Sequence, residues 1–160
     1  MKFSIYQIII GVALLTAFGC KKYTEVQPVS QYSVSQVFSD VADATNAVIG
    51  VYDELQGDNG YGIRISMYYP YDTDKGIISG GIDNGRRNIG RYQLLLTNTE
   101  ISNPFKELYR GIEKANLCIE QIPQMKLYTD GSASDQKELH RLYGEVLTLR
   151  AQYMFELIRN

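Results

Sequence analysis

The chain has 160 residues and a net charge of −2, with 16 Lys and Arg against 18 Asp and Glu. Its content of 44% hydrophobic and 21% charged residues is typical of one globular domain and excludes a disordered chain or a polytopic membrane protein. The lack of a basic excess disfavours nucleic-acid binding, and two Cys with one His disfavour a disulfide framework or a His-rich metal site.

The N-terminal residues resemble a bacterial lipoprotein signal peptide. Lys2 precedes an apolar run over residues 8–15, which is too short to span a bilayer but suits a signal-peptide core. Ala17 and Gly19 then supply small side chains before Cys20, as in a lipobox. We therefore predict cleavage after residue 19 and lipid attachment to the Cys20 thiol, which would anchor the protein stably. The alternatives are an ordinary secretory signal and a single-pass anchor.

Residues 20–38 are polar and lack a strong period, so we predict a tether between the signal peptide (residues 1–19) and a helical domain (residues 39–160). The domain opens with Ser39 and Asp40, both favourable N-cap types. The apolar residues that follow recur at helical spacing, namely Val41, Ala44, Val48, Val51, Tyr52 and Leu55.

Residues 61–97 carry a weaker pattern. Apolar and polar side chains alternate over residues 63–69, which predicts a short strand, although so short a run does not exclude a helix. Several glycines between residues 76 and 90 predict a long loop. Long ordered loops in compact domains are functional more often than not, so this loop is the first place to look for a site.

Two further helices complete the predicted scaffold. The second begins near Ser102 and ends at Pro123, a loop covers residues 128–134, and the third runs from Ser134 to Asn160. Their apolar stripes comprise Phe105, Leu108, Tyr109, Ile112, Ala115, Ile119 and Ile122, and Leu139, Leu142, Tyr143, Val146, Leu149, Tyr153, Phe155 and Leu157. Because no Gly or Pro closes the last helix, we expect the chain to be the incomplete front part of a longer helix-pair protein.

Several segments together resemble the N-terminal part of the SusD/RagB family of nutrient-binding outer-membrane lipoproteins. The resemblance lies in the lipobox, in the first helix with residues 50–52, and in Thr73-Asp74. It also lies in residues 109–116, and most specifically in residues 144–155 (GEVLTLRAQYMF). One departure is Phe105, where family members typically have Trp.

The resemblance implies a mainly α fold of tetratricopeptide-like helix pairs with a long Gly-rich loop region. It implies a lipid-anchored outer-membrane protein, facing the cell exterior, that passes glycans or peptides to a SusC-like TonB-dependent transporter. It implies a binding module without a cofactor rather than an enzyme. A surface glycosidase and a helical adaptor that binds no nutrient are the competing hypotheses.

The Gly-rich loop region offers the candidate ligand site, because sugars are bound by flat apolar faces with a few polar groups at the rim. The candidates are Tyr71, Asp72, Asp74, Arg86 and Tyr92, with Asp74 and Tyr92 preferred. The spacing of Asp72 and Asp74 does not match an EF-hand calcium loop, so we expect no metal.

Four residues in the family-like segments are predicted to be structural. We expect Tyr109 on the buried stripe and Asn116 as a buried hydrogen-bonding side chain between helices. Glu145 and Arg150 are five residues apart and do not share a helical face, so each is expected to pair with another element. The sequence contains no nucleophile, zinc, Walker or dinucleotide motif, so no catalytic residue is predicted.

Overall fold

The computed structural model describes residues 34–71, 73–74, 76, 79–81 and 85–159. The predicted signal peptide, Cys20 and the tether as far as residue 33 lie outside the described residues. The helices are α1 (Val34–Val37), α2 (Val41–Asp53), α3 (Arg64–Tyr71), α4 (Arg86–Ile89), α5 (Thr99–Gln121), α6 (Lys126–Asp130) and α7 (Ala133–Arg159), with a 3₁₀ turn at Ile122–Gln124. No strand occurs in the described ranges, and the prediction of a mainly α fold is confirmed.

The scaffold is an antiparallel pair, α5 and α7, against which α2 packs. The direction follows from two contacts, because Gly111 meets Tyr153 while Asn116, further along α5, meets Arg150, which comes earlier in α7. The core between the helices is apolar, and its buried members include Ala44, Val48, Val51, Leu108, Ala115, Ile122, Leu139, Leu142 and Val146. This is the helix-pair arrangement that the apolar stripes predict.

Local capping determines where the long helices begin. The side chain of Asp40 accepts a hydrogen bond from the backbone N–H of Asp43 at 2.8 Å and starts α2 where the sequence predicts. Ser132 and Asp135 form a reciprocal capping box before α7, since the Asp135 N–H donates to Ser132 Oγ at 3.2 Å and the Ser132 N–H donates to the Asp135 carboxylate at 3.3 Å.

The C-terminal end of α2 is tied to both other long helices. An α-helix leaves its last four carbonyls without partners, and here residues 50–53 all find them. Lys114 Nζ in α5 donates to the carbonyl of Gly50 at 3.3 Å, and the Tyr153 hydroxyl in α7 donates to that of Val51. The carbonyls of residues 52 and 53 accept hydrogen bonds from backbone N–H groups in the turn that follows α2. The end of α2 therefore holds all three helices in register.

Two carboxylates are buried beside this core. Glu54 lies against Lys114 Nζ at 2.5 Å and near the guanidinium of Arg110. Burial would raise the pKa of Glu54, but the hydrogen bonds with Lys114 and Glu107 and the positive charges of Lys114 and Arg110 together hold that pKa below its ordinary value. Glu156, only 1% exposed, accepts hydrogen bonds from the side chains of Tyr61, Gln152 and Arg159.

The structure corrects the predicted strand. Residues 63–69 lie largely within α3, which is helical. Of the alternating apolar side chains whose burial the structure describes, Ile65 is fully buried, Ile63 is exposed and Met67 is half-buried, so these three do not form a sheet-like face. The Tyr68 hydroxyl donates to the carbonyl of Glu100 and joins α3 to α5.

Other predicted boundaries also shift. α5 begins at Thr99 rather than near Ser102, because Asn98 caps it and Pro104 lies inside the helix. Residues 126–130, which overlap the predicted loop, form α6, and Tyr128 there packs edge-on against the ring of His140 at 4.4 Å. Val34–Val37 is helical and Phe38 is buried in the core, so this part of the predicted tether is folded onto the domain.

Four aromatic residues expected on the buried stripes are exposed: Tyr52, Phe105, Tyr109 and Phe155. The physical reason is that periodicity marks an apolar face without showing which part of it another helix covers, and the contacts between these helices bury neighbouring residues such as Val51, Leu108 and Tyr153 instead. The deeply buried position next to Phe155 belongs instead to Glu156, which is satisfied by hydrogen bonds. No helix in the described part of the chain has the length and apolar character needed to cross a bilayer.

Candidate ligand-binding loop

Residues 85–98 form a loop, named here the 85–98 loop, whose two ends are joined by one side chain. Asn98 is almost completely buried, and its Nδ2 donates to the carbonyl of Gly85 at 3.2 Å. Its Oδ1 accepts from the N–H of Glu100 at 2.9 Å and so caps α5. Compact surface loops with adjoining ends are Ω-loops and frequently carry function. The loop is thus held firmly against the start of α5.

The 85–98 loop begins with α4 and turns sharply at Tyr92. The N–H of Gln93 donates to the carbonyl of Asn88 at 3.0 Å and that of Tyr92 to the carbonyl of Ile89 at 3.1 Å. This pair of bonds is a Schellman motif, in which the residue at Tyr92 must be left-handed and is usually Gly. Tyr92 has φ of 55°, which is costly for a residue with a Cβ.

The Tyr92 ring is also 74% exposed. Backbone strain at an exposed aromatic residue suggests a functional role, because packing in the core does not explain the strain. Tyr92 is one of the two preferred residues of the predicted ligand site, and its position on a pinned loop suits stacking against a flat ligand.

Arg86 belongs to an ion-pair chain at the base of the loop. Its Nε lies 3.0 Å from Glu100 Oε2, and Arg64 Nε lies 3.2 Å from the same oxygen. Arg64 also pairs with Asp58. Burial would lower the pKa of Arg64, but these two carboxylates raise it above its ordinary value. Arg86 therefore supports the loop, while its half-exposed guanidinium still faces solvent.

The structure describes the other predicted ligand residues only in part. Asp74 is exposed, in the short described stretch of residues 73–74. Tyr71 ends α3, and its side chain lies outside the description, as does Asp72 altogether. The structure thus brings Arg86 and Tyr92 onto one loop and leaves Asp74 on a separate segment.

The four residues predicted to be structural lie on α5 and α7. Arg150 Nη1 donates to Asn116 Oδ1 at 3.1 Å, which is a contact between the two helices, but Asn116 is exposed rather than buried. Glu145 pairs with Arg141 one turn earlier in α7, so the expectation that it pairs with another element is wrong. Tyr109 is exposed and its ring packs on Phe105, with centroids 4.8 Å apart.

Sequence reasoning missed an apolar surface next to the loop. Leu94, Leu95 and Leu96 are exposed and, with Ile101 and Phe105 of α5, line a groove of about 370 Å³. Three successive leucines in an otherwise polar loop were the available signal. Within the described ranges, no group of three or more His, Cys, Asp or Glu side chains could hold a metal ion.

Comparison with known proteins gives one informative match. The chain is 26% identical over 127 residues to the SusD-like protein P25 of Formosa agariphila. The match covers 74% of this chain and 24% of the relative, so the chain spans about a quarter of the relative's length. No protein-family model matches, and no solved structure does. The protein is therefore similar to a SusD-like protein, at a low level of identity.

Proposed function

We propose that this protein is a SusD-like surface lipoprotein that binds a glycan or peptide nutrient and delivers it to a TonB-dependent outer-membrane transporter. The match to a SusD-like protein and the helical fold support the assignment to this kind of protein. The lipobox ending at Cys20 supports a lipid anchor, and in this proposal the anchor holds the domain on the outer membrane, facing the cell exterior.

The single structural observation that carries a binding role is Tyr92. Its ring stands on a pinned loop, in a backbone conformation that a Gly would adopt without strain. Arg86 on the same loop and Asp74 on the preceding segment supply the polar groups that a sugar or peptide ligand needs, together with Tyr71 and Asp72. In this proposal the protein holds its ligand and has no catalytic residue.

The ligand site is tested by calorimetric titration of the full chain with malto-, xylo-, laminari- and chito-oligosaccharides and with short peptides. Tyr92→Ala and Asp74→Ala should each weaken binding of whichever probe binds by about tenfold or more, as expected for a lost stacking or hydrogen-bonding contact. Tyr52→Ala is the matched control, since Tyr52 is also exposed but lies on α2. Unchanged affinity in both the Tyr92 and the Asp74 variant would remove this site, and turnover of an oligosaccharide would favour a glycosidase.

The anchor is tested separately by growth with a labelled fatty acid. The wild-type protein should incorporate label and fractionate with outer membranes, and Cys20→Ala should do neither. Co-purification with a TonB-dependent transporter would support delivery to that partner. Label retained in Cys20→Ala would contradict the proposed attachment site.

A further inference from the structure

The outermost part of the 85–98 loop is a run of three exposed leucines, Leu94–Leu96, named here the leucine tip. Leu96 is 103% exposed, and Leu94 and Leu95 are about half exposed. The base of the same loop is well packed, because Asn88 and Ile89 are buried and Asn98 joins the ends. The tip is therefore held out into solvent by an ordered loop, at the cost of leaving apolar surface in water.

The charged residues of the loop that carries the leucine tip all have one sign. Residues 85–98 contain three Arg and no Asp or Glu. Arg86 pairs with Glu100, whereas Arg91 Nη2 donates to the neutral carbonyl of Gly80 at 2.9 Å, and among the described residues no carboxylate pairs with Arg91. A cationic rim around apolar side chains complements a surface of anionic headgroups over hydrocarbon.

The backbone conformation of the leucine tip favours a lipid bilayer over a protein groove as its partner. Residues 93–95 have no regular secondary structure and residues 96–97 lie in a turn, so the leucine tip is not an amphipathic helix of the kind that docks into a protein groove.

We propose that the leucine tip inserts into the surface of an anionic lipid bilayer, with Leu94–Leu96 among the acyl chains and Arg91 at the headgroups. This contact is separate from the lipid predicted at Cys20. It also uses none of the residues of the proposed ligand site, so it does not depend on the proposed function.

The absence of Trp from the chain makes a specific test possible. The full-length Leu96→Trp protein, with Cys20→Ala to prevent acylation, is mixed with vesicles of equal parts phosphatidylcholine and phosphatidylglycerol that carry brominated acyl chains. Trp emission at position 96 should shift to the blue and be quenched by bromine. The matched control is Ile49→Trp, on exposed α2 surface, which should remain unquenched.

The charge requirement is tested in the same assay. Arg91→Gln in the Leu96→Trp background should weaken partitioning to anionic vesicles by about fivefold, the usual effect of one basic residue near such a surface. Partitioning to pure phosphatidylcholine should be weaker for both proteins and should differ little between them.

Three results would overturn the proposal. Position 96 could stay unquenched while the protein sediments with vesicles, which would place the contact elsewhere in the chain. Quenching could be equal at positions 96 and 49, which would indicate non-specific adsorption. Emission at position 96 could shift with protein concentration in the absence of lipid, which would show that a second copy covers the tip.

Discussion

The ring of Tyr153 lies directly on Gly111, and this contact sets how closely α5 and α7 approach. A Cβ built on Gly111 would stand 2.3 Å from the ring, far inside van der Waals contact. The ring is fully buried and its hydroxyl is fixed by the carbonyl of Val51, so it has no room to move aside. Glycine is needed here for space, since its backbone is ordinary helix.

Gly111→Ala should therefore lower the free energy of unfolding by about 2–3 kcal/mol, the usual cost of overpacking a rigid core. The matched controls are Gly50→Ala and Gly144→Ala, where a new Cβ meets nothing within 4 Å. Both should raise stability by about 0.5–1 kcal/mol, as expected for Gly→Ala in a helix. Urea denaturation of the three variants measures the difference, and equal effects at all three sites would contradict the contact.

Tyr68 supplies the hydrogen bond that Pro104 cannot make. In an α-helix the N–H of residue 104 would bond the carbonyl of Glu100, but Pro has no N–H, and the Tyr68 hydroxyl donates to that carbonyl instead. We expect Tyr68→Phe to cost about 1–2 kcal/mol by leaving the carbonyl unsatisfied.

A double-mutant cycle tests whether the Tyr68 hydroxyl replaces the backbone N–H donor that Pro104 lacks. Pro104→Ala restores the backbone donor, so Tyr68→Phe should cost at least about 0.5 kcal/mol less in that background than in wild type. Additive effects of the two changes would show that Tyr68 and Pro104 do not share this carbonyl.

Glu54 should make the fold sensitive to acid. Its pKa is lowered in the folded state, so its ion pair with Lys114 stabilises the protein above the unfolded pKa of about 4.3 and is lost as pH falls through the folded value. Glu54→Gln should cost about 1–2 kcal/mol at pH 7, a modest figure because Lys114 is half-exposed.

The pH dependence separates this effect from a general loss of packing. The stability difference between wild type and Glu54→Gln should shrink as pH falls from 5 towards 3. Glu138→Gln is the control, since Glu138 pairs with Arg141 on exposed surface and should change little at any pH. A difference that stays constant across this range would contradict the ion pair as the cause.

Position 92 should tolerate Gly better than other small residues, because Gly usually occupies this place in a Schellman motif. We expect Tyr92→Gly to be about 1 kcal/mol more stable than Tyr92→Ala, because both lose the ring but only Gly adopts φ of 55° without strain. Thermal unfolding of the two variants measures this directly. Equal stability would mean that the left-handed conformation at this position costs little.

The substitution Asn116→Leu should lower the free energy of unfolding only slightly. A buried amide would have made this change severely destabilising, but Asn116 is exposed and its partner is the half-buried Arg150. We expect a loss below about 1 kcal/mol in chemical denaturation. A loss several times larger would indicate that Asn116 is buried in the native protein.

The fold was predictable where local signals and periodicity agree. Asp40 and the stripe through Val48 locate α2, and Pro123 ends α5, because capping and helix breaking depend on neighbours in sequence. The short alternating pattern of residues 63–69 fits a strand as well as a helix, and sequence spacing does not announce the contact of the Tyr68 hydroxyl with the distant carbonyl of Glu100.

Burial and the site were predictable only in part. Periodicity identifies an apolar stripe but not what covers it, so Phe105 and Phe155 were expected inside. Glu156 is buried instead, with hydrogen bonds from Tyr61 on a distant segment and from Gln152 one turn earlier in α7. The Gly-rich composition predicted the loop. The left-handed turn at Tyr92 was not predictable, because it depends on backbone hydrogen bonds that residue types do not indicate.

The apolar surroundings of Cys118 have a practical result for thiol chemistry. This side chain is buried in α5, and burial raises the pKa of its thiol to about 11, so the reactive thiolate is scarce at neutral pH. Alkylating reagents should spare Cys118 while the helices stay together and reach it once they separate. In a Cys20→Ala protein, the rate of alkylation would then report directly how often the α5–α7 pair opens.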